Sequence, residues 1–338
     1  MFNKIYEKIK QFMKDNKLTL LFYLIFIVVM TYKLPFFIYT GGGVINTDKR
    51  IEIENSYKSE GNFYFAYVSS LNATIPTYLL AGVIPSWNIE PIDSYQINEE
   101  EDANDIVKRD KLYLEEASTA AIFNAYNLAD KEIKIDEEKL SVIYIEDKEK
   151  SELKIGDVIK KINNIEIKEF EDIKDIVTTS KVGETLKLEI KRDNKTLVVD
   201  STIFQKEGTK FLGISVLKTY DYTLSPPLNL KFKSRESGPS GGLALALTIY
   251  NKLVSEDITK GKKIVVTGTI DMDGNVGSIG GVTYKLRGAI KEKADIFIVP
   301  NEDNYKEVME VVNKEKLNIK VIGVDTFKDA VDKLSQVK

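Results

Sequence analysis

The chain has 338 residues, long enough for two or three domains, with 43% hydrophobic residues, 17 Tyr and 15 Phe to build their cores. Charged residues make up 30% but the net charge is only -4, without the basic stripe of a nucleic-acid binder, so no nucleic-acid partner is expected. There is no Cys and no His, which excludes disulfides, thiolate nucleophiles, Ser-His-Asp and Cys-His catalysis, and HExxH or Cys metal sites. A nucleophile here must use Lys, Asp, Glu or a terminal amine as its base, and no metal or cofactor is expected.

The N-terminus carries Lys4, Lys8, Lys10, Lys14 and Lys17, followed by the apolar run Leu18–Tyr32. Lys33 interrupts the run and LPFFIYT extends it to Thr40. Three readings compete: a buried core helix, a cleaved signal peptide, and an uncleaved signal anchor. The run has no polar face, which speaks against a core helix. It is followed by no small-x-small cleavage site, which speaks against a signal peptide. A span wants about 20 residues, reached by counting to Tyr39 with Lys33 snorkelling. The expectation is therefore a cytoplasmic segment over 1–17 and a transmembrane signal anchor over 18–40. Because the lysines precede the span, the rest of the chain is expected outside the cytoplasmic membrane.

Gly41–Gly43 reads as a hinge, and 41–135 as an extracytoplasmic, β-rich linker region. Residues 62–68 and 77–84 suit either strands or buried helices, which periodicity does not separate. The acidic run Glu99–Asp102 reads as a solvated loop, and 111–130 as a helix packing on the later domains.

Over 136–205 the pattern is compact. SVIYI (141–145) is a strand; LKIGDVIKKINNIEI (153–167) is a turn, a strand, an Asn-Asn turn and a short strand. EFEDIKDIVTTS (169–180) is a helix with Phe170, Ile173 and Ile176 on one side. The segment 186–201 is a hairpin closed at Asp193-Asn194, with Leu186, Leu188 and Ile190 inward. The run L-x-x-G-D-x-I, here Leu153, Gly156, Asp157 and Ile159, together with this element order, resembles the PDZ domain. The resemblance implies strand addition of an extended peptide at a sheet edge. No carboxylate-binding loop is evident, so no peptide-binding residue is assigned, and a spacer without ligand is the alternative.

In SRESGPSGGLALALTIYNKLV (234–254) a Gly/Pro-rich turn runs into an apolar helix, with Ser240 at its entrance. Alone, such a Ser is an ordinary N-cap. A hydroxyl there also has backbone N–H groups and a positive dipole end beside it, which can hold an oxyanion. Further on, KIVVTGTI is a strand, DMDGNV a turn, VTYKLRGAIKEK (282–293) a helix and DIFIVP (295–300) a buried strand. Lys285 borders the stripe of Val282, Leu286, Ala289 and Ile290. Desolvation at a core edge lowers an ammonium pKa towards neutrality, whereas a snorkelling surface lysine is the ordinary alternative.

G-P-S-x-G at 238–242, T-G at 267–268 and I-G-G-x-x-K at 279–285 resemble, in order and spacing, the proteolytic domain of the Lon family. The resemblance implies a Ser-Lys dyad of Ser240 as nucleophile and Lys285 as base. It also implies Thr267 as the lysine's support, and Gly238, Pro239 and Gly241 around the oxyanion and substrate backbone. Ser237 stands where many Lon proteases have Asp. No G-x-x-x-x-G-K-[ST] occurs in the chain, so the resemblance is to PDZ-containing Lon-like serine proteases that lack an ATPase module. The expected fold class is α+β multidomain: an N-terminal transmembrane helix, a PDZ-like β-rich domain at 136–205 and a C-terminal α/β Lon-type proteolytic domain at 213–338. The expected partners are protein or peptide substrates, the lipid bilayer and further copies of the chain in a ring. The expected activity is ATP-independent endopeptidase action. A tethered PDZ adaptor with a non-catalytic protease fold is the alternative.

Overall fold

The computed structural model describes residues 2–84, 87–98, 100–234, 236–301 and 303–337. The chain divides into two compact units, one of residues up to Gly41 with Ser69–Tyr95, the other of Gly42–Val68 with Gln96–Lys338.

In chain order the first elements are α1 (Phe2–Asp15), α2 (Lys17–Thr31), β1 (Lys33–Asn46), β2 (Ile51–Ile53), β3 (Asn62–Thr74), α3 (Ile75–Ala81), β4 (Asn88–Pro91) and α4 (Ala103–Leu128). The smaller unit has its own core of Ile38, Ala73 and Ala81, with Leu34, Phe36, Leu71, Tyr78, Trp87 and Ile89 around it. Of the two ambiguous segments, 62–68 falls in a strand and 77–84 begins in a helix.

The expected transmembrane helix over 18–40 is not found. No helix among the described residues is long and apolar enough to cross a membrane. Helix α2 ends after 15 residues, with Tyr32 already extended. At a rise of about 1.5 Å per residue it reaches roughly 22 Å, against a hydrocarbon core of about 30 Å. The continuation LPFFIYT is strand, because Pro35 disfavours helix at the residue before it and offers no N–H. Phe36–Tyr39 instead pair antiparallel with Asn88–Pro91 of β4. A single-pass membrane placement, with its bilayer contact, is therefore not supported.

In the acidic run Glu99 lies outside the described residues. Glu101 is buried in an ion pair with Arg109 rather than solvated. Asp102 accepts the N–H groups of Asn104 and Asp105 and caps α4. That cap starts the helix eight residues ahead of the expected 111.

The PDZ-like part follows: β5 (Glu132–Ile145), β6 (Val158–Ile162), β7 (Ile165–Glu166), α5 (Phe170–Thr179), β8 (Thr185–Arg192), β9 (Lys195–Thr202), β10 (Phe204–Lys206), β11 (Thr209–Phe211), β12 (Ile214–Ser225) and β13 (Leu228–Leu230). Its sheet runs β12-β5-β6-β8-β9, with β7 against β6. Leu186, Leu188 and Ile190 point inward as their alternation requires, onto Leu140, Val142, Ile159 and Ile162. Helix α5 covers them with Ile173, Ile176 and Val177; Phe170, at its first residue, is exposed. The β5–β12 ribbon pairs from Ile145↔Ile214 to Glu132↔Ser225. Its Ile145 end lies in the PDZ-like core, while Ile133, Tyr222 and Leu224 pack on the next one.

The remaining elements are α6 (Gly242–Leu253), β14 (Lys263–Val266), β15 (Thr269–Ile270), β16 (Val276–Gly277), α7 (Val282–Lys291), β17 (Ile296–Pro300), α8 (Asp303–Glu315), β18 (Lys320–Val324) and α9 (Phe327–Ser335). In the larger unit their sheet is not confined to 213–338. Its order is β18-β17-β14-β3-β1, with Lys263–Val266 parallel to Asn62–Phe65 of β3. Segment β13 pairs with β2. This sheet thus takes strands from both sides of the PDZ-like segment. Parallel strands buried on both faces read as continuous apolar runs. Ile264, Val266, Ile296 and Ile298 face α4, α6 and α9. Val265, Phe297 and Val299 face α7 and α8.

Candidate active site

Ser240 precedes α6 on one face of this sheet and Lys285 lies on α7 on the other, and the end of β14 meets the Ser240 turn. The run KIVVTGTI is not one strand; it breaks at Thr267-Gly268 between β14 and β15. Thr267 stays in the sheet layer by donating its N–H to the Ile298 carbonyl at 3.0 Å. The break turns two donors onto the turn that carries Ser240: Gly268 N–H reaches the Ser240 carbonyl at 3.0 Å and Thr267 Oγ1 reaches it at 3.3 Å. Leu243 N–H returns a bond to the Gly268 carbonyl at 3.2 Å, so α6 and the strand end are laced together. A crevice beyond the carboxyl ends of parallel strands is where open α/β sheets place their ligands.

The turn carrying Ser240 is a single 3-10 turn, Pro239–Gly241. Gly238 ahead of it has φ 88, in the left-handed region that favours glycine, and donates its N–H to the Asp110 carbonyl at 2.9 Å. The N-cap position of α6 is Gly241, and no side chain caps the helix. Ser240 is thus not the N-cap that its sequence position suggests; the residue is half-buried and its side chain makes no capping bond. Gly242 is required by close packing: a Cβ there would sit 2.8 Å from Ile270 Cγ2 and 3.3 Å from Ala117 Cβ.

Lys285 lies in the first turns of α7, between Val282 and Leu286, which are both fully buried. It is itself only 4% exposed. Among the described residues no carboxylate pairs with it and no hydrogen bond joins it to Ser240. Burial alone lowers its ammonium to about 8 from the ordinary 10.5. The hydroxyl of Thr267, which the Lon resemblance gives as the lysine's support, bonds the Ser240 carbonyl. Two participants were not foreseen. Gly268 acts through its N–H, although the T-G pair was a visible signal. Asp110 acts through its carbonyl, for which side-chain identity gives no signal.

Residues 233–336 match the Lon protease (S16) C-terminal proteolytic domain, and residues 131–203 match a PDZ domain. The Lon protease of Campylobacter concisus is 30% identical over 142 residues, 41% of this chain and 17% of that protein. The Lon protease of Rickettsia prowazekii is 28% identical over 164 residues, 48% of this chain and 19% of that protein. Among solved structures, the PDZ domain of the SdrC-like protein of Listeria monocytogenes is 26% identical, covering 23% of this chain and 86% of that one, with a TM-score of 0.21. The chain spans less than a fifth of the length of these two Lon relatives. Residues 233–336 are thus similar to the proteolytic domain of a serine-type peptidase, and residues 131–203 to a PDZ domain.

Proposed function

We propose that the chain is a serine endopeptidase with Ser240 as nucleophile and Lys285 as general base, cleaving unfolded or peptide substrates without ATP. The observation that carries this reading is Lys285 itself: buried, without a counter-ion among the described residues, and lowered to about 8. An ammonium held there has no structural partner to justify it, whereas a neutral amine can accept a proton.

In the proposed reaction neutral Lys285 takes the Ser240 proton as Oγ attacks the peptide carbonyl. The oxyanion accepts N–H groups from the Ser240 turn. Gly238 N–H is already engaged with Asp110, and Pro239 has none, so Ser240 and Gly241 supply the donors. The Lys285 ammonium returns its proton to the leaving amine, and water then hydrolyses the acyl-enzyme with Lys285 again as base. Thr267 and Gly268 hold the turn and thereby the nucleophile; support of the lysine by Thr267 stays part of the proposal.

ATP independence rests on the absence of a phosphate-binding Gly-rich motif in this chain. Peptide recruitment rests on the PDZ-like sheet, whose outermost strands β12 and β9 each pair with one strand among the described residues, the arrangement that strand addition uses. Assembly into a homo-oligomeric ring is drawn from the Lon resemblance and is read by sedimentation of the full chain.

The test is cleavage of a fluorogenic peptide by the wild type, Ser240→Ala and Lys285→Arg, with and without ATP, across neutral to alkaline pH. The wild type is expected to be active with ATP absent, and both variants silent, since a guanidinium stays protonated. A folded Lys285→Arg chain cleaving near the wild-type rate would remove Lys285 from the mechanism.

A further inference from the structure

The nucleophile's turn borders a cleft of about 540 Å³ lined by α4, by the β15–β16 hairpin and by Pro239, the residue before Ser240. Helix α4 presents Tyr113, Glu116, Ala117 and Ala120 to it, spaced i, i+3, i+4, i+7 along one face. The hairpin adds Ile270 and Val276, so much of the wall is apolar. Among the described residues the lining has three carboxylates, Glu116, Asp271 and Asp273, and no lysine or arginine.

The three carboxylates are not equivalent. Asp271 is spent on its own turn, accepting the N–H groups of Asp273 at 3.0 Å and Asn275 at 2.8 Å, and Asn275 Nδ2 at 2.9 Å. Asp273 is exposed at the tip of that turn. Glu116 is half-buried on the helix wall and makes no hydrogen bond or ion pair among the described residues. Burial raises its carboxyl above the ordinary value, with no cation opposing it. A charge taken part-way out of water without a partner is unfavourable unless a ligand supplies one.

We propose that this cleft receives a lysine or arginine side chain of the substrate next to the cleaved bond, with its stem along Ala117, Ala120 and Ile270 and its charge on the Glu116 carboxylate. The inference rests on the reading of Ser240 as nucleophile and adds the substrate class. Glu116 acts as a specificity-determining residue, since it meets a flanking side chain and not the reacting carbonyl. It lies outside the segment that matches the proteolytic domain, on a helix before the PDZ-like segment.

The experiment compares peptides identical except for Lys, Gln or Glu at the positions flanking the cleaved bond. Their binding to the full Ser240→Ala chain is read by fluorescence anisotropy, which needs no turnover. The Lys peptide is expected to bind about tenfold tighter than the Gln peptide, the scale of one charge-assisted contact. Glu116→Gln in the same background should bring the ratio within about twofold, and Glu116→Lys should favour the Glu peptide. Glu116→Ala serves where either of these fails to fold by circular dichroism. Equal binding of Lys and Gln peptides with Glu116 intact, or a preference that survives its replacement, overturns the inference. Wild-type cleavage is scored separately: charge preference without cleavage sinks the dyad, and Ser240-dependent cleavage without preference sinks the cleft.

Discussion

Asp157 in the PDZ-like core and Lys285 against the larger sheet are both buried formal charges, and the structure treats them in opposite ways. Asp157, 1% exposed, receives Arg192 Nε at 2.7 Å and Nη2 at 2.6 Å on its two oxygens, and Lys154 N–H at 2.8 Å. Every demand of that carboxylate is met. Lys285 in the catalytic core has no ion pair and no hydrogen bond among the described residues, and its answer to burial is a lowered pKa. A satisfied buried charge fixes structure, while an unsatisfied one stores reactivity at a cost in stability. On the proposed reading, this difference separates a scaffold residue from a site residue better than residue type does.

The comparison is broken most severely at Lys285. Lys285→Met should lower peptide cleavage by roughly 10³-fold, the scale of lost general-base catalysis. It should also raise stability at pH 7 by about 3 kcal/mol, because the lowered pKa measures what the buried ammonium costs. Denaturant melts and initial rates on the same preparation check both. A variant that is inactive and less stable would show that Lys285 is held by contacts and not merely buried.

Asp157→Ala should do the reverse. Leaving the Arg192 guanidinium unpaired should cost about 3 kcal/mol, read as an earlier thermal transition. Cleavage of a short peptide at a temperature below that transition should stay within about twofold. A large loss of rate there would mean that the PDZ-like core acts directly on the site.

The pH dependence sharpens the contrast. The folded lysine titrates near 8 and the unfolded one near 10.5, so between these values the unfolded chain binds more protons. Stability should rise with pH across that window, and cleavage should rise as pH passes through about 8. Both effects should vanish in Lys285→Met, by pH-stepped melts and by the Ser240 reactivity of a fluorophosphonate probe.

Thr267→Val should have the smallest effect, about a fivefold loss in kcat with little change in KM. It removes the 3.3 Å bond to the Ser240 carbonyl but leaves the 3.0 Å bond from Gly268. An unchanged kcat would show that Gly268 alone positions the turn.

Much of the PDZ-like part was legible because its contacts are local. The alternation of Leu186, Leu188 and Ile190 set their inward face, and Asp193-Asn194, both at positive φ, set the hairpin turn. The glycine spacing around Ser240 was legible too, since φ 88 at Gly238 and the packing of Gly242 restrict residue type directly. Hydropathy misled at the N-terminus. An apolar residue is equally apolar in a helix or a strand, and Pro35 with the β1–β4 pairing decided between them.

Sequence by itself determined which residue types were available for chemistry. With no Cys and no His, a nucleophile was left with Lys, Asp, Glu or a terminal amine as its base, and the resemblance of G-P-S-x-G and I-G-G-x-x-K to the Lon proteolytic domain pointed to Ser240 and Lys285. Local periodicity also determined most of the elements, because a strand's or helix's buried face is a property of neighbouring residues. Only the tertiary structure decided that β3, more than 190 residues before β14, pairs with it, and that α4 walls the cleft beside Ser240. Only it decided that Lys285 is desolvated rather than snorkelling. Both depend on contacts between segments far apart in the chain, and neither a pairing partner nor a local dielectric is written in any one segment.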